Sequence, residues 1–323
     1  MLHHYVYIVG GVMSGVGKGT VSAALGRVRL SKGYKVTAIK IDPYINLDAG
    51  TMNPVEHGEV FVTVDGDETD QDIGNYERFL DTNILSLNYM TTGRVYQTVI
   101  QRERNLEYEG KTVQVVPHVP NEVNERIERA AQHSEEDFVF IEVGGTVGEY
   151  ENILFLEAAR LMRMKYPDRV RNILVSYMPV PAAVGEMKTK PTQQAVRTLM
   201  AAGLNPDFVV ARSSTQIDRP RKEKLALFSN VDKDHVIGSP DIDSIYKVPL
   251  MFEQQKFGEK LLHSFGLHPR VKSGLRKWRE MVRRIETAKK EVKIGVIGKY
   301  FSTGDFTLSD AYISVIEALK HAS

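Results

Sequence analysis

The chain alternates short, almost unbroken apolar runs with longer segments whose apolar residues recur every three or four positions. The runs Tyr5–Val9, Val36–Ile41, Phe138–Val143, Ile173–Tyr177 and Phe208–Val210 predict strands buried on both faces. Between them, Val21–Leu30, Asn75–Leu80, Thr92–Glu109, Glu122–Ala131, Glu151–Met164, Thr192–Ala202 and Lys222–Phe228 carry the helical period. Glu59–Val64 and Val113–Val116 also read as strands. This alternation predicts an α/β fold, a mostly parallel sheet with helices on both faces. Ligands of such sheets bind beyond the carboxyl ends of the strands. The stretch from Asp42 to Asp72 is long and rich in Asp, Glu, Gly and Pro, and Glu59–Val64 is its one clear strand. Long irregular segments inside compact domains usually carry function.

The pattern changes after Gly266. The segment HPRVKSGLRKWREMVRRIETAKK is strongly basic, with Leu275, Trp278, Val282 and Ile285 spaced for one helix face. It predicts a solvated linker helix; the interleaved aromatics of a nucleic-acid surface are missing. Val292–Ile297 then predicts a strand and Ser309–Lys320 a helix. One strand and one helix cannot enclose a core. The expected units are residues 1–266, a linker at 267–290, and the opening of a further α/β domain at 291–323.

Composition narrows the partners. Among 323 residues, 42 Lys and Arg face 41 Asp and Glu, a net charge of +1, so no global field recruits nucleic acid or an anionic membrane. The absence of cysteine excludes disulfides and thiolate metal ligands. No run approaches membrane-span length, and the first strand begins at once, leaving no room for a targeting peptide. A cytoplasmic protein with no nucleic-acid or membrane partner is expected.

The stretch Tyr5–Thr20, YVYIVGGVMSGVGKGT, has the strand, glycine loop, lysine and helix layout of a phosphate-binding loop. Glycines let successive N–H groups turn onto one anion, and the new helix adds its positive end. Lys18 supplies a mobile charge. The match to G-x-x-x-x-G-K-[ST] is imperfect: Val12 fills the first glycine slot, with Gly11 one place earlier. Gly19 fills the hydroxyl slot, with Thr20 one place later. A metal should therefore lean on carboxylates elsewhere. The plain alternative is a tight turn whose glycines serve packing alone.

Asp72 ends the acidic stretch Asp65–Asp72, and Glu142 closes a strand; both suit a Mg²⁺-triphosphate. Asp65, Asp67, Glu68 and Asp70 are nearby rivals. Lys40 ends a strand read as adjacent to the loop strand, so it can face phosphates beside Lys18. Lys188–Gln193, KTKPTQ, is a second cationic segment at a helix start, where free N–H groups favour an anion.

Several segments are more idiosyncratic than a phosphate loop. They are SGVGKG at Ser14–Gly19, KIDPYINLDAGTMNP at Lys40–Pro54, HGEVFVTVDGDETDQD at His57–Asp72, YERF at Tyr76–Phe79, TVQVVPH at Thr112–His118, EVGGTVG at Glu142–Gly148, GEMKTKPTQ at Gly185–Gln193 and DSIYKVP at Asp243–Pro249. In this order they resemble the CTP synthases. The resemblance implies an amidoligase domain that phosphorylates O4 of UTP with ATP and lets ammonia displace the phosphate to give CTP. It implies Lys18 and Lys40 as catalytic, and Mg²⁺ on Asp72 and Glu142. ATP falls to Gly15, Val16, Gly17, Lys18, Gly19, Thr20 and Asp72, with Arg212, Pro240, Asp241 and Ile242 on the adenine side. UTP and CTP fall to Ser14, Glu149, Tyr150, Glu151, Lys188, Thr189, Lys190, Pro191, Thr192, Gln193 and Lys224, partly from a neighbouring subunit of a homotetramer able to form filaments. His57 and Val60 correspond to an ammonia passage.

The chain departs from the family where G-D-I-E reads Gly148-Glu149-Tyr150-Glu151. A longer acid and a bulkier neighbour put feedback by CTP in question more than catalysis. Residues 291–323 resemble the start of a glutaminase domain, whose nucleophilic cysteine this chain lacks, so free ammonia rather than glutamine is the expected nitrogen source. Two other readings stay open: an ATPase switch built on the deviant phosphate loop, and a non-catalytic filament subunit.

Overall fold

The structure, a computed structural model, describes residues 2–133, 135–272, 274–303, 306–307 and 309–323. In chain order the elements are β1 (His4–Gly11), α1 (Lys18–Ser31), β2 (Val36–Asp42), α2 (Pro54–His57), β3 (Val60–Val62), β4 (Glu68–Asp70), α3 (Asp72–Leu80), β5 (Tyr89–Thr91) and α4 (Thr92–Arg104). They continue with α5 (Val115–His133), β6 (Phe138–Thr146), α6 (Ile153–Lys165), β7 (Val170–Tyr177), α7 (Lys190–Ala201), β8 (Phe208–Ser213), α8 (Arg219–Ser229) and β9 (Val236–Pro240). Then come α9 (Val248–Gln254), α10 (Phe257–Ser264), α11 (Arg276–Thr287), β10 (Ser302–Thr303), β11 (Phe306–Thr307) and α12 (Ile313–Ala322).

Seven strands form one sheet in the order β5-β2-β6-β1-β7-β8-β9, every neighbouring pair parallel. Both faces are apolar, because alternate residues of each strand point to opposite sides. Val6, Ile8, Ala38 and Phe140 join the helices α1, α3, α9 and α10 in one core. Tyr7, Val9, Ile39 and Ile141 join α5, α6 and α7 in the other. From β1 the chain first travels to β2 on one side and later to β7 on the other. The connections diverge above β1 and β6, which opens the crevice such folds use for ligands.

The sheet corrects one expectation. β2, which carries Lys40, does not lie beside β1; β6 runs between them. Lys40 is paired in register with Glu142 of β6 instead.

Four local readings also change. Val113–Val116 is not a strand; Val115 opens α5, with Val116 at a non-helical kink before a cis Val116–Pro117 bond. Its exposed valines bury no second face, which a central strand needs. The strand expected over Glu59–Val64 shrinks to β3, which pairs with β4 as a small antiparallel hairpin. The helix expected to reach Glu109 stops at Arg104, and Leu106 and Glu109 both adopt positive φ in the turns beyond. Val292–Ile297 joins no sheet and stays exposed. The pattern missed the short α2, β4, β10 and β11 as well as β5, β9, α9 and α10.

The basic helix α11 is seated rather than free along its length. Leu275, Trp278 and Val282 are buried in the first core, while Ile285 is exposed. The Trp278 indole donates to the Tyr246 carbonyl at 2.7 Å, and its ring lies 5.2 Å from Phe79. The C-terminal segment folds back onto the same region. Tyr246 Oη donates to Glu317 Oε2 at 2.6 Å, and the Glu59 N–H donates to the Asp310 carbonyl at 2.9 Å.

Candidate active site

The loop after β1 carries the strain expected of a tight anion cradle. Gly15 and Gly17 sit at φ +66° and +88°, which side chains resist. Val12, in the slot where the common pattern has glycine, also has positive φ, 80°. Ser14 is exposed at the tip, Val16 is buried below it, and Thr20 lies in the first turn of α1.

Gly19 explains the lost hydroxyl. A Cβ at Gly19 would come 2.3 Å from Asp72 Oδ1. The space a Ser or Thr would need is taken by the carboxylate of α3. Asp72 thus touches the first turn of the phosphate-loop helix although 53 positions separate the two in sequence.

Lys40 and Glu142 extend the apolar rows of β2 and β6 to the carboxyl edge of the sheet. Lys40 Nζ lies 2.5 Å from Asp72 Oδ2, 3.3 Å from Glu142 Oε1, 3.5 Å from Asp70 Oδ1 and 3.7 Å from Asp42 Oδ1. Tyr76, one turn after Asp72 on α3, donates its hydroxyl to Glu142 Oε2. Asn75 donates to Asp72 Oδ1 at 3.3 Å. Tyr44 donates to Asp42 Oδ2 at 3.0 Å.

The charges are strongly perturbed. Burial works against the Lys40 ammonium, but Asp70, Asp72, Glu142 and Asp42 outweigh it and hold its pKa well above the ordinary lysine value. Burial raises Glu142 despite Lys40. Burial, with Asp42 and Asp72 nearby, pushes Asp70 well above the carboxylate range, while Lys40 overcomes burial to hold Asp72 below it. Four carboxylates thus surround one ammonium, and among the described residues no three acidic or histidine side chains are arranged to hold an ion.

Of the four acidic rivals, only Asp70 joins this cluster. Asp65 is held by the Ser86 N–H and hydroxyl and by the Thr63 hydroxyl. Asp67 makes a two-pronged pair with Arg94 at 2.5 and 2.6 Å. Glu68 is exposed beside Gly50. Sequence reasoning gave no role to Asp42 or Tyr76. The signals were there: Asp42 shares a strand face with Lys40, and Tyr76 follows Asp72 by four.

Lys18 points elsewhere. It is 8% exposed, and its ammonium donates to the Gly145 carbonyl at 2.8 Å. Burial lowers its pKa, opposed by Glu142. Both lysines therefore flank the end of β6 from opposite sides, Lys18 above its last turn and Lys40 beside Glu142.

Arg212 closes the other side of the loop. Its Nε lies 3.7 Å from where a Cβ at Gly17 would stand. Its guanidinium donates to the Ser239 and Pro240 carbonyls at 2.9 and 3.1 Å and to Asp241 Oδ1 at 2.9 Å. The expected adenine-side residues are thus assembled next to the phosphate loop, with Ile242 exposed beside them.

The second cationic segment is mixed. Lys188 pairs with Glu186 at 2.7 Å, and Lys190, which opens α7, is exposed. Thr192 is fully buried and accepts a 2.9 Å bond from Ser176, and Thr189 accepts from Gln193 at 2.9 Å. These two threonines hold the start of α7 together; Pro191 sits in its first turn. Lys224 is exposed on α8, which packs beside α7. Glu149 turns back on Thr146, while Tyr150 and Glu151 face solvent. His57 is exposed with its ring 6.0 Å from Tyr44, and Val60 is half-buried in β3.

A seven-stranded parallel sheet with a deviant phosphate loop at its switch point defines a nucleotide-binding α/β domain of the phosphate-loop kind. A family model described as CTP synthase N-terminus matches residues 4–267. The chain belongs to that family. It is 48% identical over 320 residues to the CTP synthase of Thermococcus gammatolerans, covering 99% of this chain and 58% of the relative. The CTP synthase of Pyrococcus abyssi is 47% identical with the same coverage, and that of Methanosarcina mazei 48% identical over 317 residues. The chain therefore spans about 58% of the length of these curated relatives. Among solved structures, a nucleotide-binding protein from Archaeoglobus fulgidus in complex with ADP aligns with a TM-score of 0.38 at 13% identity, covering 79% of this chain and 89% of that one. Among the described residues no helix is long and apolar enough to cross a membrane.

Proposed function

We propose that the chain is an amidoligase that converts UTP to CTP with ATP and ammonia. The observation that carries this is the convergence of Lys18, Lys40, Asp72 and Glu142 on the carboxyl end of β6, in a chain of this family. ATP would lie on the loop between Gly15 and Thr20, with its base towards Arg212, Pro240, Asp241 and Ile242. The γ-phosphoryl group passes to O4 of UTP and ADP leaves. Ammonia then attacks C4, phosphate departs with the C–O bond, and the nitrogen loses a proton to give CTP.

Such a transfer is mostly positioning and charge stabilisation. Lys18 would leave the Gly145 carbonyl to meet the β/γ side of the triphosphate. Lys40 stays charged across the accessible pH range because carboxylates surround it, and so holds a fixed positive point at the phosphoryl path. Asp72 and Glu142 fit Mg²⁺, which would neutralise charge on the triphosphate. Among the described residues no group of three or more acidic or histidine side chains is arranged to close on an ion. Phosphate oxygens and water would have to complete the shell, as Mg²⁺ commonly requires.

UTP would be held by Lys188, Lys190 and Lys224, supported by Ser14, Thr189–Gln193 and the Glu149–Glu151 turn, in an assembly of several copies. His57 and Val60 would border the ammonia approach. Glutamine hydrolysis of the kind tied to this family needs a cysteine nucleophile, and the chain has none. The cytoplasm, where nucleoside triphosphates are used, is the compartment this reading expects.

The test is CTP formation from UTP, ATP and Mg²⁺, with ammonium chloride or glutamine as nitrogen source, beside Lys18→Ala. The expected result is CTP from ammonia only, falling at least about 100-fold in the variant. CTP from neither source while ATP still binds would overturn the reading.

A further inference from the structure

The amination step leaves one proton without a destination. The nitrogen that attacks C4 arrives as ammonia and ends as an amino group, so a base must stand beside it. Lys40 is held charged by its carboxylates, and Asp72 and Glu142 fall to Mg²⁺. Two carboxylates of the cluster remain. Asp70 is engaged in the turn that leads into α3, where its Oδ1 accepts the Asp72 N–H at 2.9 Å. Asp42 meets side chains: Lys40 Nζ lies 3.7 Å from its Oδ1, and Tyr44 donates to its Oδ2 at 3.0 Å.

Asp42 ends β2 at the carboxyl edge of the sheet and is 6% exposed. A Cβ at Gly144 would stand 3.1 Å from its Oδ1, so the carboxyl lies against the end of β6. The Tyr44 hydroxyl touches that of Tyr89 on β5. Because Tyr44 gives its one proton to Asp42, Tyr89 donates to Tyr44. Burial first, and then Asp42, raise both phenols, so they stay donors rather than rival bases. The groups facing the Asp42 carboxyl are Lys40 from its own strand, Asp70 from β4 and these two phenols. Beyond Tyr44 stands His57, its ring 6.0 Å from the tyrosine ring. One tyrosine thus separates Asp42 from the loop of the ammonia approach, and one lysine separates it from Glu142.

We propose that Asp42, oriented by Tyr44, is the general base of the amination step and returns the proton to the departing phosphate. This rests on the reading above that the chain aminates UTP. As ammonia adds to C4 of the O4-phosphorylated base, the nitrogen lone pair makes the C–N bond and the C4–N3 double-bond pair moves to N3. One proton passes from nitrogen to the Asp42 carboxylate. The N3 pair then re-forms the double bond, and the C4–O bond breaks with its pair on oxygen. The Asp42 carboxyl protonates that oxygen, so CTP and hydrogen phosphate leave and Asp42 ends as it began.

The experiment follows two products from UTP, ATP and Mg²⁺: CTP with saturating ammonium chloride, and ADP in a single turnover without it. The proteins are the wild type, Asp42→Asn, Tyr44→Phe and His57→Ala. Asp42→Asn slows CTP formation about 100-fold, the usual size for a lost general base. Its single-turnover ADP formation falls by less than about threefold, because phosphoryl transfer does not use the base. Tyr44→Phe, which keeps the carboxylate and removes its donor, slows CTP about tenfold with ADP likewise held. ADP falling in parallel with CTP in Asp42→Asn would mean that Asp42 only holds Lys40, and overturns the proposal. So does CTP at the wild-type rate in Asp42→Asn, or a loss of CTP in His57→Ala as large as that in Asp42→Asn. Should Asp42→Asn not fold, Tyr44→Phe decides: slower CTP with ADP held supports the base, and unchanged CTP overturns it. A wild type that makes no CTP removes the reaction and the proposal together. A wild type that makes it, beside an Asp42→Asn that makes it equally fast, removes the proposal alone.

Discussion

Val12 bends the phosphate loop at a backbone angle that a β-branched residue resists, since Cβ crowds the carbonyl on the left-handed side. The side chain is exposed there, so no buried contact offsets the strain. Val12→Gly should raise stability by about 0.5–1 kcal/mol, the relief of strain less the extra freedom glycine gives the unfolded chain. A melt shifted downwards would show that Val12 is held by something beyond its backbone. At this scale much of the site was legible. Lys18, Lys40, Asp72 and Glu142 stood out by residue type at strand ends and loop ends. Asp70 was one of four acidic rivals the sequence could not rank, and Asp42 was not singled out, because a carboxylate at the edge of a strand looks the same in sequence whether it meets water or an ammonium. The packing role of the KTKPTQ segment was not legible: Thr192 is fully buried and accepts from Ser176.

Among the elements, α11 shows how charge can hide a packing face. Its arginines and lysines dominate the composition, yet Trp278 and Val282, with the N-cap Leu275, enter the core. Trp278→Ala should cost about 3–5 kcal/mol, the usual range for emptying a buried aromatic site. Ile285→Ala, on the same helix but exposed, should change stability by under about 0.5 kcal/mol. Urea unfolding of both variants checks this; equal, small losses would mean the helix is not seated as described. The larger elements that escaped the sequence pattern did so for separate local reasons. β5 is three residues long, too short to show a period of two. β9 ends in Ser-Pro, which reads as a turn. α9 and α10 are separated only by Gln255 and a left-handed Lys256, so their periods blur into one another.

For the whole molecule, stability should depend on Glu136, in the connection leading into β6. Burial pushes its carboxyl up to about 7 from 4.5, only partly countered by Lys35, and its Oε2 is buried without a partner. The sign follows from which state holds the proton more tightly. Between those two pH values the folded chain binds more protons than the unfolded one, so stability falls as pH rises through the window and this contribution is gone above about 7. Glu136→Gln should therefore gain about 1–2 kcal/mol over the wild type at pH 8, discounted for partial exposure, and little at pH 4.5. Parallel pH profiles of the two proteins would show that Glu136 titrates normally.

The sequence by itself determined the class of fold, the phosphate loop and the identity of its principal charges. Those are local facts: period, residue type and order along the chain survive without three dimensions. Only the tertiary structure decided which strand separates β1 from β2, which carboxylate fills the space beside Gly19, and which carbonyl holds Lys18. Those depend on strand order and on approaches of a few ångströms between residues far apart in sequence. A linear pattern carries no information on such approaches, because they are fixed by how helices settle on a closed-packed sheet.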